Sequence, residues 1–184
     1  DLRQAVADYL KRKNNLTYHP QDEIVITVGG SEAIDLAIRS VVNPGDEVLL
    51  VEPCFVCYRP IVELMHGVAV AIPTKEENHF KLTAQELREH ITEKTKMLIL
   101  PFPNNPTGGI MTREDLEQIA DVLRETNIVV LSDEIYSEQT YGRKHCSIAE
   151  LEGMQERTIL VNGFSKSFAM TGWRLGFLAA PKPL

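Results

Sequence analysis

The chain has 184 residues, 43% of them hydrophobic and 24% charged, which is enough for one sizeable buried core. Nineteen basic and 26 acidic residues give a net charge of −7, which argues against nucleic acid or an anionic membrane as a partner. No apolar run approaches the ~20 residues that cross a bilayer, and three cysteines make no disulfide framework, so we expect a cytoplasmic protein.

Short apolar runs alternate with helical patterns along the whole chain, and Ser31 and Thr83 (with Glu86) stand at predicted helix starts. Helices are predicted over 1–13, 33–42, 55–66, 83–91 and 112–124. Strands are predicted over 24–28, 48–51, 68–72, 97–100, 128–131, 158–161 and 175–179. This alternation is typical of βαβ units in an α/β fold whose sheet is buried on both faces.

Unusual residues follow five of the predicted strands. They are Gly29-Gly30-Ser31, Pro53 to Phe55, Asn104-Asn105-Pro106, Asp133 and Lys166. Ligands of such sheets bind at the carboxyl ends of the strands, so we expect these five loops to converge on one site.

The Gly29-Gly30-Ser31 turn offers backbone amides, a helix dipole and a hydroxyl to an anion. It is not a dinucleotide fingerprint and lacks the lysine of a Walker loop. Arg174 suits a phosphate because its planar fork donates paired hydrogen bonds, although a surface ion pair is its plainer explanation. Cys54 and Cys57 form a CxxC, but no second pair completes a metal site, so no metal is expected.

Lys166 stands in sequence among Phe164, Phe168 and Trp173. Such apolar surroundings are expected to lower the pKa of the lysine by desolvation and to make its amine a nucleophile that forms Schiff bases. The plainer alternative is a surface lysine after a strand.

Asp133 directly follows a buried apolar run, where a carboxylate is costly unless a cation is near, and a protonated pyridine nitrogen is such a cation. Tyr136 could reach the same ligand, Asn105 could donate to a phenolic oxygen, and Phe55 could stack on a flat ring. The alternatives are a capping Asp133, a core Phe55 and a plain turn at Asn105.

Three motifs in this order resemble the class I/II aminotransferases, which are pyridoxal-phosphate (PLP) enzymes of fold type I. The motifs are Asn105-Pro106-Thr107-Gly108, Ser132-Asp133-Glu134-Ile135-Tyr136, and Ser165-Lys166 followed by Thr171-Gly172-Trp173-Arg174-Leu175-Gly176. The likeness runs from about Leu2 to Pro181. It implies a three-layer α/β/α domain with a seven-stranded, mostly parallel sheet over residues 1–184, as in the large, cofactor-binding domain of the family.

The resemblance also implies roles for the site residues. Lys166 would form the Schiff base with pyridoxal 5'-phosphate and serve as general base, Asp133 would pair with the pyridine nitrogen, and Tyr136 would hold the ring hydroxyl. The further cofactor-binding residues implied are Asn105 at that hydroxyl, Phe55 on the ring, and Gly29, Gly30, Ser31, Ser165 and Arg174 at the phosphate. The substrates implied are an amino acid and a 2-oxo acid, and the whole enzyme is expected to be a homodimer.

The sequence departs from the family at Gly163, where relatives often place Ser or Thr, so the phosphate is expected to depend more on Ser165. The family's N-terminal segment and its C-terminal small domain, with the arginine that binds the substrate carboxylate, are also missing. We therefore expect these 184 residues to bind cofactor but to transaminate poorly. Two alternatives use the same motifs: a carbon–sulfur β-lyase, and the ligand-sensing domain of a transcription regulator.

Overall fold

The computed structural model describes residues 1–184 and contains a seven-stranded sheet with helices on both faces. The helices are α1 (Leu2–Asn14), α2 (Gly29–Val41), α3 (Tyr58–Leu64), α4 (Ala84–His90) and α5 (Arg113–Arg124). The strands are β1 (Ile24–Thr27), β2 (Glu47–Glu52), β3 (Val68–Pro73), β4 (Thr95–Leu100), β5 (Val129–Asp133), β6 (Thr158–Gly163) and β7 (Gly176–Ala179). No helix has both the length and the apolar character needed to cross a membrane.

The sheet order is β1-β7-β6-β5-β4-β2-β3. Strand β7 runs antiparallel to β1 and β6, and the other neighbouring pairs are parallel. The mostly parallel sheet expected from the sequence is therefore confirmed. Because β1 points the same way as β6, the carboxyl ends of β1, β2, β4, β5 and β6 lie on one edge of the sheet, and this edge gathers the five predicted loops.

Alternating residues of the central strands fill two separate cores. Leu98 and Val130 pack with α4 and α5, whereas Ile99 and Leu131 pack with α2 and α3. Successive side chains of a strand point to opposite faces, so the continuous apolar runs of β4 and β5 require helices on both sides. A third cluster joins α1 to β1, β6 and β7.

Helix α2 begins three residues earlier than a cap at Ser31 would allow, so that prediction is wrong. Its N-cap is Val28, and Ser31 lies in the first turn. The chain can turn into the helix at Gly29 because this residue, without a side chain, tolerates φ +75°. The start of α2 also lies against β7, since a Cβ on Gly176 would stand 2.5 Å from the Gly29 carbonyl carbon.

The helix predicted over 55–66 is shorter in the structure and excludes Phe55. Helix α3 begins at Tyr58, so Phe55 lies in the loop before it. Pro60 explains the late start, because proline lacks an N–H and fits only the first turn of a helix. The capping box predicted at Thr83 is present, and Thr112, at the start of the helix predicted over 112–124, also forms one with Asp115.

Candidate active site

A cavity of about 300 Å³ opens at the carboxyl edge of the sheet. Nine of the ten residues predicted to bind the cofactor line it: Gly30, Ser31, Phe55, Asn105, Asp133, Tyr136, Ser165, Lys166 and Arg174. The tenth, Gly29, does not line the cavity but touches Arg174. Ile34, Tyr58, Pro101, Pro103, Ile135 and Thr171 complete the wall. The volume is near the lower end of the range of small-molecule sites, ~300–1,000 Å³.

Asp133 is the last residue of β5 and only 6% exposed. Its Oδ2 accepts a hydrogen bond from the Tyr58 hydroxyl at 2.7 Å, and its Oδ1 accepts one from the Ile135 amide at 3.1 Å. Burial raises the pKa of Asp133, the charge of Glu134 adds to the rise, and the two hydrogen bonds oppose it. No basic side chain of the chain pairs with this carboxylate, so a cation entering the cavity would relieve its desolvation.

Tyr58 is the functional candidate that the sequence prediction missed. It is 2% exposed, and burial beside Asp133 raises its pKa well above the usual value, so the phenol stays protonated and donates to the carboxylate. A signal for it was present in the sequence. Tyr58 and Val62 are spaced as one buried helix face, and a buried tyrosine hydroxyl needs a partner.

Lys166 lies on the loop after β6, with its Nζ 5.7 Å from the centre of the Tyr136 ring. The aromatic enclosure expected around it is wrong, since the Lys166 side chain is exposed. Phe164 packs instead against Phe177, at 6.3 Å between ring centres, and Trp173 is 74% exposed. Aromatic residues that are near Lys166 in sequence therefore do not surround it in space, because Phe164 packs on the core while Trp173 faces solvent.

The basic end of the cavity is built by Arg174 against the start of α2. Its Nη1 donates to the Thr171 carbonyl at 3.0 Å, and its other N–H groups make no hydrogen bond within the chain. A Cβ on Gly29 would lie only 2.4 Å from Nη2, so the guanidinium occupies the space that the glycine leaves free. Ser31 and the buried Ser165 add hydroxyls at the same cavity.

The two adjacent asparagines have different surroundings. Asn104 donates to the Pro53 carbonyl and accepts from both the amide and the hydroxyl of Thr107, so its amide group is used within the loop. Asn105 lines the cavity. Phe55 also lines it, with its ring edge-on to Tyr58 at 6.1 Å and 80°.

This donor set fits pyridoxal phosphate. A buried carboxylate without a cationic partner matches a protonated pyridine nitrogen, and the free guanidinium N–H groups with two hydroxyls match a phosphate. An amine, Lys166 Nζ, lines the same cavity. Asp133 and Lys166 thus line the same cavity, as expected if both residues contact one cofactor.

Comparison with known proteins gives one consistent answer. Residues 1–184 match the family profile described as aminotransferase class I and II. The chain is 50% identical to an aspartate aminotransferase of Pyrococcus abyssi, with 98% of this chain and 47% of that protein covered. It is also 50% identical to an aromatic-amino-acid aminotransferase of Thermococcus litoralis, covering 99% of this chain and 47% of that protein. The chain therefore spans about half the length of these curated relatives.

Solved structures agree with this fold. The crystal structure of an aromatic aminotransferase from Pyrococcus horikoshii matches with a TM-score of 0.96 at 48% identity, covering 98% of this chain and 49% of that one. The three-layer, fold-type-I architecture expected from the motifs is thereby confirmed. Because these relatives are all aminotransferases, the β-lyase and transcription-regulator alternatives are not favoured.

Proposed function

Because this chain belongs to the class I and II aminotransferases, we propose that its whole protein transfers the amino group of an amino acid to a 2-oxo acid. Residues 1–184 are, in this proposal, the large domain that binds pyridoxal phosphate. The observation that carries it is the single cavity shared by Asp133, Lys166 and Arg174. The buried carboxylate suits the pyridine nitrogen, the amine suits the aldehyde, and the free guanidinium suits the phosphate of this cofactor.

Pyridoxal phosphate, when bound, supplies an aldehyde that condenses with amines and a ring that accepts electrons from the α-carbon of the substrate. Lys166 Nζ would hold the cofactor through its amine, and the same amine, when free, would take the proton from the substrate α-carbon as general base. Asp133 keeps the ring nitrogen protonated through its carboxylate. Tyr58, by donating to Asp133 Oδ2, favours the charged form of that carboxylate.

The remaining contacts orient the cofactor. The Asn105 amide and the Tyr136 hydroxyl hold the ring oxygen, and Phe55 covers one face of the ring. The phosphate is bound by Arg174 and Ser165 together with the start of α2, namely Gly29, Gly30 and Ser31. Except for Gly29, each of these residues is assigned from its position in the cavity wall and from the chemistry of its polar or aromatic group. Gly29 is included because it lies against Arg174 at the start of α2.

The rest of the whole protein contributes the substrate site. Arg174 is the one arginine that lines this cavity, and we assign it to the phosphate. The arginine that binds the substrate carboxylate must therefore come from another part of the whole protein. We therefore expect residues 1–184 alone to bind pyridoxal phosphate but to transaminate poorly, because substrate orientation supplies much of the rate. We further propose a cytoplasmic homodimer: the three free thiols suit a reducing compartment, and Val56, Phe168 and Trp173 expose apolar surface that a second copy could cover.

An amino-transfer assay on the whole protein tests this function. The purified protein is loaded with pyridoxal phosphate and given a panel of amino acids with 2-oxoglutarate as acceptor. Aspartate and aromatic amino acids come first in the panel, because two relatives carry those names. The expected product is glutamate, formed in equal amount with the new 2-oxo acid. Release of pyruvate and ammonia from cystathionine without any acceptor would instead indicate the β-lyase.

A further inference from the structure

A second buried carboxylate, Glu134, lies next to Asp133 and has no role in the proposed chemistry. It is 2% exposed, and its backbone amide donates to the Val161 carbonyl of β6 at 2.8 Å. Its Oε1 accepts hydrogen bonds from the hydroxyls of Ser132 at 2.8 Å and Ser147 at 2.5 Å. Its Oε2 lies 2.8 Å from His145 Nε2.

Two adjacent buried carboxylates, Asp133 and Glu134, repel each other when both are charged. The negative charge of Glu134 disfavours the anionic form of Asp133, as burial already does. His145, with 10% of its side chain exposed, is the basic side chain that contacts Glu134. A protonated imidazole here would leave only one net negative charge in this part of the interior.

We propose that His145 is a positioning residue for this site: its imidazolium neutralises the buried Glu134 carboxylate, keeps the neighbouring Asp133 anionic, and fixes the turn that carries Tyr136. This inference rests on the proposed function only in assuming that Asp133 faces the cofactor.

The hydrogen-bond geometry supports the second part of this role. Residues 134–147 form a loop after β5, and both of its ends are fixed at Glu134. The Glu134 amide donates to Val161 of β6, and the Glu134 carboxylate accepts from the hydroxyl of Ser147. Within it the Ser137 amide donates to the Glu134 carbonyl at 2.9 Å, and Asn162 of β6 donates to the Ser137 hydroxyl at 3.1 Å. Tyr136 therefore lies between Glu134 and Ser137, which are joined by this backbone hydrogen bond and are each bonded to β6, Glu134 through Val161 and Ser137 through Asn162.

The charges around His145 favour its protonated form. Burial lowers the pKa of the imidazole, but the Glu134 carboxylate beside it, with Glu150 and Glu138 farther away, outweighs burial, so the pKa of His145 is raised. Glu138 is itself paired with Lys13 of α1 at 2.8 Å.

The other charged groups facing this region do not replace His145. Arg113 of α5 is 4.0 Å from Glu150, and Arg143 and Lys144 line the polar cavity on the outer side with Tyr9 of α1. Tyr18, whose hydroxyl is buried and feels the Glu134 charge, stays protonated because burial raises its pKa. Apart from His145, the side chains that contact the Glu134 carboxylate are two neutral serines.

Carboxyl-carbon NMR on the cofactor-free whole protein, with aspartate labelled, measures the proposed effect directly. His145→Gln keeps a hydrogen-bond donor but removes the charge, and it should raise the midpoint of the Asp133 titration by about one pH unit, a tenfold change in proton affinity. The double variant Glu134→Gln/His145→Gln removes both charges and should return the midpoint towards that of the unmodified protein. His19→Gln, at an exposed histidine paired with Asp22, should leave it unchanged.

The proposal is overturned if His145→Gln leaves the midpoint of the Asp133 titration unchanged. It is also overturned if the double variant has the same Asp133 midpoint as His145→Gln. Should His145→Gln fail to fold, the single variant Glu134→Gln decides. It must lower the pKa of His145 in imidazole proton NMR, and an unaltered imidazole titration refutes the ion pair. Because these titrations are made without cofactor, a protein that fails to bind pyridoxal phosphate loses the proposed function without deciding this inference.

Protein stability gives an independent check with a defined sign. A histidine whose pKa is raised by folding stabilises the native state fully below its unfolded pKa, ~6.5, and this stabilisation is lost as pH rises through the folded pKa. The urea midpoint of unfolding should therefore be higher for the unmodified protein than for His145→Gln. This difference should be largest at acidic pH and should shrink at alkaline pH. A difference that is constant with pH would contradict a charged His145.

Discussion

Asp133 shows how one residue is prepared by its contacts. Burial alone would leave its carboxyl protonated over a wider pH range, and the hydrogen bonds from Tyr58 and Ile135 act against that. A hydrogen bond to a charged group contributes about 1.5–3 kcal/mol, which is comparable to one or two pH units in the titration of the acceptor. The hydrogen bond from Tyr58 therefore offsets a substantial part of the rise that burial causes in the pKa of Asp133.

Tyr58→Phe isolates this hydrogen bond. The variant keeps the ring that packs on Phe55 but leaves one Asp133 oxygen without its donor, so we expect pyridoxal phosphate to bind about tenfold more weakly. Absorbance titration with the cofactor measures the dissociation constant. Tyr141→Phe is the matched control, because this tyrosine is 89% exposed. Equal affinities for Tyr58→Phe and the unmodified protein would remove Tyr58 from the site.

The absence of a side chain at Gly29 leaves the space that the Arg174 guanidinium occupies. Gly29→Ala places a methyl group where Arg174 Nη2 now lies, and the flexible guanidinium must move to make room. We expect about tenfold weaker binding of pyridoxal phosphate, since the arginine no longer aims at the phosphate.

Gly153→Ala is the control for this variant. Both glycines have positive φ, +75° and +72°, so both substitutions carry the same kind of backbone strain, roughly 1 kcal/mol. A Cβ on Gly153 meets nothing within 4 Å. Urea unfolding should show both variants destabilised, whereas cofactor titration should separate them. Similar cofactor affinities for the two variants would show that Arg174 does not depend on Gly29.

At the scale of elements, helix α5 shows what a cap contributes away from the site. Thr112 accepts from the Asp115 amide, Asp115 accepts from the Thr112 amide, and Lys81 reaches the same carboxylate at 2.6 Å. Thr112→Ala should lower the free energy of unfolding by about 1 kcal/mol and leave cofactor affinity unchanged. Urea unfolding checks this against Ser40→Ala, whose hydroxyl only bonds within its own helix and which should stay within ~0.5 kcal/mol. Equal effects of the two substitutions would contradict the cap.

The elements that the sequence predicts well are those whose signal is local. Capping boxes at Thr83 and Thr112 depend on residues three apart, and buried strands such as β4 and β5 are uninterrupted apolar runs. The start of α2 is predicted less well because it depends on packing, whereas the late start of α3 follows from Pro60, a local signal that the predicted helix over 55–66 leaves out. Gly29 begins a helix where β7 and Arg174 approach it, and these lie about 145 residues later in the chain.

At the scale of the whole molecule, the parallel direction of β1, β2, β4, β5 and β6 brings five loops to one edge. This convergence follows from the alternation of helices and strands, which is why nine of ten predicted residues line one cavity. The surroundings of Lys166, the bond from Tyr58 and the pair of Glu134 with His145 could not be predicted in the same way. Each depends on which way a side chain turns within a loop or on a partner with no fixed spacing.

The most direct test of this account is to locate the amine that binds the cofactor. The whole protein is mixed with pyridoxal phosphate, reduced with borohydride, digested and examined by mass spectrometry, alongside Lys166→Ala and the exposed-lysine control Lys182→Ala. We predict a pyridoxyl group on the peptide that contains Lys166, its loss in Lys166→Ala, and full labelling in Lys182→Ala. Labelling that persists at another lysine in Lys166→Ala, or none in the unmodified protein, would contradict the assignment of this cavity.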